Sequence, residues 1–112
     1  MRTSRKELKM EEILYLMKRV KEEANDAHDY AQEAIEAKTV FPDLASTYYK
    51  LSGEELGHME ALHKCVVSMI EEHRDKEGAV PADTMVLYKY LHKEAMEIAE
   101  KTGVLRELYK AM

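Results

Sequence analysis

The protein has 112 residues, of which 46% are hydrophobic, and its 22 acidic and 17 basic side chains give a formal charge of -5. This length fits a single domain over residues 1–112, and the hydrophobic fraction is typical of a globular chain. The acidic balance excludes the basic stripe that nucleic-acid binding requires, and no apolar run approaches the roughly 18 residues of a membrane span. With two prolines and four glycines, the chain lacks the frequent turn signals of an all-β protein. An all-α fold remains.

The chain has a single cysteine, Cys65, which cannot form a disulfide within the chain. Unpaired cysteines are typical of reducing compartments, so we expect a cytoplasmic protein. We interpret Cys65 itself as a small apolar side chain at the margin of a helix.

The helix breakers divide the chain into three helical segments. The first runs from about Ser4 to Lys38 without a glycine or proline and closes at Thr39-Val-Phe-Pro-Asp43, because the residue before a proline disfavours helical geometry. Asp43 is the predicted N-cap of the second segment. Since the connecting loop has about five residues, the first two segments predict an antiparallel hairpin over about residues 4–74.

A third segment follows a loop that contains a glycine and a proline. Asp83 is its predicted N-cap, and its apolar periodicity predicts a third helix over about residues 83–101. Gly103 then interrupts the pattern, so we expect residues 104–112 to form a short helical tail. The glutamates of the third segment all project away from its apolar stripe, so it offers no carboxylate to the core.

The first segment has one apolar face when its residues are placed about 100° apart. Glu23 lies at the edge of that face, whereas Glu22 lies on the solvated side and Asp26 at the margin. One carboxylate of this acidic cluster is therefore expected at the core. The apolar face consists of Ile13, Leu16, Val20, Ala27, Ala31 and Ala34.

The second segment has a sharper apolar stripe. Glu55 projects to the middle of the stripe and His58 still lies within it, whereas His63 is marginal. A carboxylate on an apolar face requires a proton, a partner or a metal ion, because burying an isolated charge is costly. The stripe consists of Leu44, Tyr48, Leu51, Met59, Leu62, Val66 and Met69.

Glu55-Leu-Gly-His58 is a Glu-x-x-His pair, and residues three apart on a helix share a face. With Glu23 on the facing helix, the pair matches a half-site of the di-metal carboxylate bundles, in which one helix gives Glu and the other Glu-x-x-His. Imidazole and carboxylate ligands suit iron, manganese or zinc. Two alternatives remain: Ser52 and Glu55 could form a capping box that starts a new helix, or Glu55 could be a buried hydrogen-bond partner of a histidine or tyrosine.

The stretch from Glu22 to Tyr30 (Glu-Glu-Ala-Asn-Asp-Ala-His-Asp-Tyr), together with Leu44 to His63, resembles the ferritin-like superfamily and especially its rubrerythrin branch. The resemblance covers about residues 8–74. It implies that Glu23 is the metal glutamate of the first helix, that Glu55 and His58 are the Glu-x-x-His pair, and that Glu55 bridges two metal ions. A second tier of candidate ligands consists of Asp26, Tyr30 and His63.

Rubrerythrin-like and ferritin chains usually carry four helices and two half-sites, whereas this chain has one half-site and no Cys-x-x-Cys module. The resemblance therefore implies a ferritin-like four-helix bundle completed by dimerisation, with a di-iron site shared between two chains. The implied function is Fe(II) oxidation, peroxide reduction or iron handling, which includes a ferroxidase-like or peroxidase-like oxidoreductase. The alternative is a metal-free helical module, such as an accessory or phage protein, that dimerises or binds a protein partner through its third helix.

Overall fold

The structure is a computed structural model that describes residues 5–112, apart from the side chains of Lys6 and Leu8. In this part of the chain it consists of helices without strands, which confirms the all-α prediction. The predicted helix start at Ser4 lies outside the described residues. None of the described helices combines the length and the apolar character that crossing a bilayer demands. The elements are α1 (Arg5–Ala37), α2 (Pro42–Glu77) and α3 (Ala82–Ala111).

α1 is the central helix of the fold. α2 packs along it in the antiparallel direction, so the two form the hairpin that the breakers predict, whereas α2 and α3 have few contacts with each other. α3 packs on another side of α1 and runs parallel to it, since Lys21 contacts Glu94 at 3.1 Å and Lys38 donates to the carbonyl oxygen of Tyr109. A groove therefore separates α2 from α3.

The apolar face predicted for α1 is largely buried, and its alanines let α2 approach closely. Leu16 is half-buried, whereas the other members of the face are at most 1% exposed. Because these side chains are small, the hydroxyl of Ser52 on α2 reaches the carbonyl oxygen of Ala27 and donates to it at 2.7 Å. The face also extends to Met17 and Ala24, which the prediction omitted and which are buried as well.

α2 and α3 both begin slightly earlier than predicted. Pro42 is the first residue of α2, with Phe41 as its N-cap residue, because proline has a helix-compatible φ and lacks the N–H that would be unpaired there. Asp43 is therefore inside the first turn, where its carboxylate lies favourably near the positive end of the helix dipole. In the same way Asp83 lies in the first turn of α3, whose N-cap residue is Pro81.

α2 is continuous through the position where a capping box would have started a new helix. Ser52 is buried and bonds to α1 instead of to an amide of its own helix, so the capping-box alternative is excluded. α2 ends at Glu77, where Gly78 has a φ of 89°. His73 donates from Nδ1 to the carbonyl oxygen of Gly78 at 3.1 Å and so closes this end of the helix.

α3 continues through Gly103 to its end at Ala111, whereas the sequence predicts a break and a separate tail. A glycine inside a helix costs about 1 kcal/mol, and contacts of the last turns offset that cost. Tyr109 stacks on Tyr49 of α2 with ring centroids 4.6 Å apart, and Arg106 donates to the carbonyl oxygen of Tyr49 at 2.6 Å. The predicted tail is therefore the end of α3, fixed against the beginning of α2.

We expect Tyr109→Ala to loosen the last turns of α3, because it removes the stack on Tyr49 and the contact of the Lys38 ammonium, 3.9 Å from the ring centroid of Tyr109. These contacts together are worth about 2 kcal/mol, and urea unfolding should show a loss of that size. Glu107→Ala, at an exposed position near the same end of the helix, is the control and should change the free energy of unfolding by less than about 0.5 kcal/mol. Equal losses in the two variants would contradict the role given to Tyr109.

Candidate metal centre

Glu23 of α1 lies beside Glu55 and His58 of α2. One ligand atom from each residue lies within 4.8 Å of the other two. Among the described residues, no other group of three or more histidine, cysteine or acidic side chains lies this close together. The hydrogen bond between Ser52 and Ala27, one turn away on each helix, sets the register that brings these three side chains together.

The distances within this group fit a shared cation better than direct hydrogen bonds. Nδ1 of His58 is 3.7 Å from Oε1 of Glu55 and 4.0 Å from Oε2 of Glu23. Hydrogen bonds between nitrogen and oxygen rarely exceed about 3.2 Å. Metal–ligand bonds of about 2.1 Å place two ligand atoms of one ion up to about 4.2 Å apart. The two distances to His58 are therefore short enough for ligands of one ion, and the whole group lies within 4.8 Å.

Burial adds a second reason for a cation at this position. The side chains of Glu23 and Glu55 are 12% and 18% exposed, whereas His58 is 62% exposed. Oε2 of Glu55 is buried and has no hydrogen-bond partner among the described residues. An unpaired buried acceptor costs about 1–3 kcal/mol and more when it is charged. This is evidence against Glu55 as a satisfied structural partner of a histidine or tyrosine, and a bound cation would remove the cost.

Arg19 is the one member of the site's surroundings that sequence reasoning missed. Its guanidinium donates to Oε1 of Glu23 at 3.2 Å and to Oε2 of Glu22 at 2.8 Å. Oε1 of Glu23 is therefore engaged, while Oε2 faces His58. Arg19 and Glu23 are four residues apart on one helix, a spacing from which this contact could have been predicted.

Two of the second-tier candidates lie outside the group of three. Asp26 is exposed on α1. Tyr30 stacks on Tyr48 of α2 with ring centroids 6.1 Å apart, which places it in the α1–α2 contact. A hydrogen bond to the carboxylate of Glu33 raises the pKa of Tyr48.

The third such candidate, His63, lies on the other edge of α2 and faces α3. Its Nε2 is 2.8 Å from the hydroxyl of Tyr88, and its ring stacks on that of His92 with centroids 4.5 Å apart. Burial, together with the neighbouring His92, lowers the pKa of His63, and burial raises the pKa of Tyr88. The structure thus separates His63 from the Glu23 group and places it in a cluster of its own.

Comparisons of the chain with models of protein families, with curated proteins and with solved structures found no match. The ferritin-like resemblance therefore remains a prediction that rests on the residues quoted above.

The lowered pKa of His63 predicts a pH dependence of stability. The pKa of a histidine in the unfolded chain is near 6.5, whereas the folded protein favours the neutral ring of His63. The contribution of neutral His63 to the free energy of unfolding is therefore fully present above pH 6.5. It is lost as the pH falls from 6.5 to the lower pKa of the folded state. His63→Gln should reduce this loss in thermal unfolding measured between pH 7.5 and 5. His28→Gln, which removes an imidazole from α1 away from this cluster, should leave the loss in place. An unchanged pH profile in His63→Gln would contradict the prediction.

Proposed function

We propose that the protein is a ferritin-like metal protein in which two copies of the chain share a di-iron carboxylate site. Each copy would supply Glu23, Glu55 and His58. The observation that carries the proposal is the convergence of these three side chains around a buried, unpartnered oxygen of Glu55. Manganese and zinc suit the same ligand types.

The uncovered half of the α2 stripe supports a dimer. α1 covers one side of that stripe, and the side that carries Glu55 and His58 keeps apolar residues at least partly in contact with solvent. A second copy packed on this side would cover them and bring its own Glu23 and Glu55 to the same place. Four carboxylates would then balance the charge of two divalent ions. The partly covered residues are Leu44, Leu51, Leu62 and Met69.

The chain's own residues would bind and orient the ions. Oε2 of Glu23 and Oε1 of Glu55 approach the same imidazole nitrogen, while Arg19 holds the remaining oxygen of Glu23. The second oxygen of Glu55 has no hydrogen-bond partner among the described residues and would be a further donor atom for the ions. A bound pair of Fe(II) ions would supply the electrons that reduce dioxygen or peroxide. The apolar side chains of Leu51 and Leu62 at the rim of the site would limit the access of water.

Anaerobic titration with Fe(II), followed by native mass spectrometry, tests this proposal. We expect a dimer that binds about two ions, and Glu55→Ala should abolish the binding because it removes the bridging carboxylate. Glu54→Ala is the matched control, since Glu54 is the exposed neighbour on α2 and its loss should leave binding intact. Stoichiometric binding that survives Glu55→Ala would contradict the assignment.

The metal-free protein allows a second test at the same residue. If Glu55 is a metal ligand, its charge is incompletely paired when no metal is bound. Glu55→Gln removes this charge close to Glu23 and should raise the free energy of unfolding of the apo protein by about 1–2 kcal/mol. Urea unfolding in the presence of a chelator measures this change. Glu54→Gln should have an effect of less than about 0.5 kcal/mol. A destabilised Glu55→Gln variant would favour a structural role for the carboxylate.

A metal-free interaction module is the second candidate. α3 exposes several large apolar side chains on its outer surface, which favours contact with a protein partner. A dimer whose mass and stability are the same with iron and with a chelator would favour this function over the first. These exposed side chains are Val86, Tyr90, Val104 and Leu108.

A further inference from the structure

α2 has a second cluster of metal-ligating side chains, on the edge that faces α3. The rings of His63 and His92 stack with centroids 4.5 Å apart and planes 16° from parallel. A cavity of about 440 Å³ opens beside them in the groove between the two helices. It is lined by Leu56, Met59, Glu60, His63, His92 and Met96.

Each of the two imidazoles can offer one nitrogen to a ligand. Nε2 of His63 is paired with the hydroxyl of Tyr88 at 2.8 Å, and if Nε2 donates its proton there, Nδ1 keeps its lone pair. Metal-bound histidines usually use one nitrogen for the metal and donate with the other to a neighbouring group. The ring of His92 stacks on those of His63 and Tyr88, so these contacts engage the faces of the ring and not its nitrogens.

The other groups in the cavity indicate which metal would bind. Met59 and Met96 bring thioethers, and thioether with imidazole is a donor set that selects copper(I), whereas carboxylates suit harder ions. Glu60 at the same cavity provides one negative charge for a monovalent cation. We propose that His63 and His92, together with a thioether of Met59 or Met96, bind one copper(I) ion in the groove between α2 and α3.

Binding of this ion requires the two rings to leave their stacked arrangement, because the lone pair of an imidazole nitrogen lies in the plane of its ring. The ring centroids are 4.5 Å apart, so the two imidazoles lie close enough for side-chain rotations to bring one nitrogen of each to the same ion, with metal–nitrogen bonds of about 2.1 Å. We expect His92 to turn about its side-chain bonds, while the contact with the Tyr88 hydroxyl keeps His63 in place. The neutral state of His63, favoured by its burial, removes competition from a proton. The proposal stands independently of the di-iron site, because the two sites share no residue.

Anaerobic titration with copper(I) against the chelator bathocuproine disulfonate tests the proposal. We expect one copper(I) ion per chain in the wild type and at least a hundredfold weaker binding after combined His63→Ala and His92→Ala. Tyr88→Phe should weaken binding about tenfold, because it removes the acceptor that orients His63. His28→Ala, which removes an imidazole from α1 away from this cavity, is the control and should leave copper(I) affinity unchanged.

Thermal unfolding gives a readout that separates ligand loss from misfolding. Copper(I) should raise the Tm of the wild type and of His28→Ala, but not that of His92→Gln, whose helicity by circular dichroism should match the wild type. Met59→Leu with Met96→Leu should weaken copper(I) binding at least tenfold and leave zinc(II) binding unchanged. The proposal is overturned if the wild type fails to bind copper(I), if the double histidine variant binds it equally well, or if His28→Ala weakens copper(I) binding as much as the double histidine variant does.

Discussion

Alanine side chains along α1 leave room for the backbone of α2, and the hydroxyl of Ser52 uses that room to donate to the carbonyl oxygen of Ala27. Glu55 follows Ser52 by one turn and Glu23 precedes Ala27 by one turn, so the same register brings Glu55 beside Glu23. A shift of one residue would rotate Glu55 by about 100° and remove it from the group. A bulkier side chain in place of Ala27 would move α2 outwards and leave both carboxylates in water. The candidate metal centre therefore depends on small residues that have no ligand chemistry of their own.

Apolar spacing was sufficient to predict that Glu23 and Glu55 approach each other, because the direction of a stripe on a long helix follows from the sequence alone. It was not sufficient at the helix ends, where local signals compete with tertiary contacts. Gly103 favours a break, yet the stack of Tyr109 on Tyr49 keeps α3 continuous beyond it. Asp43 is a good N-cap residue, but Pro42 takes the first position of α2 because its φ is already helical.

The position of α3 explains what the sequence could not show about His63. The helical projection places His63 at the margin of the apolar stripe of α2. It does not show which helix faces that margin, and the contacts of His63 with α3 do. Tyr88 and His92 come from α3 and pair with it there. Glu55 and His58 thus lie on the edge of α2 towards Glu23, whereas Met59 and His63 lie on its other edge, beside His92 and Met96 of α3. The Glu23 group and the cavity beside His63 are therefore separated by the thickness of one helix.

The order of the helices along the chain has a consequence for folding. α1 and α2 are joined by residues 38–41, whereas the contact of Lys21 with Glu94 joins residues 73 positions apart. Closing a longer loop costs more chain entropy, so we expect the α1–α2 hairpin to form before α3 docks on α1. Glu23, Glu55 and His58 all belong to that hairpin. A chain emerging from the ribosome would then assemble these three ligands before its last thirty or so residues have folded.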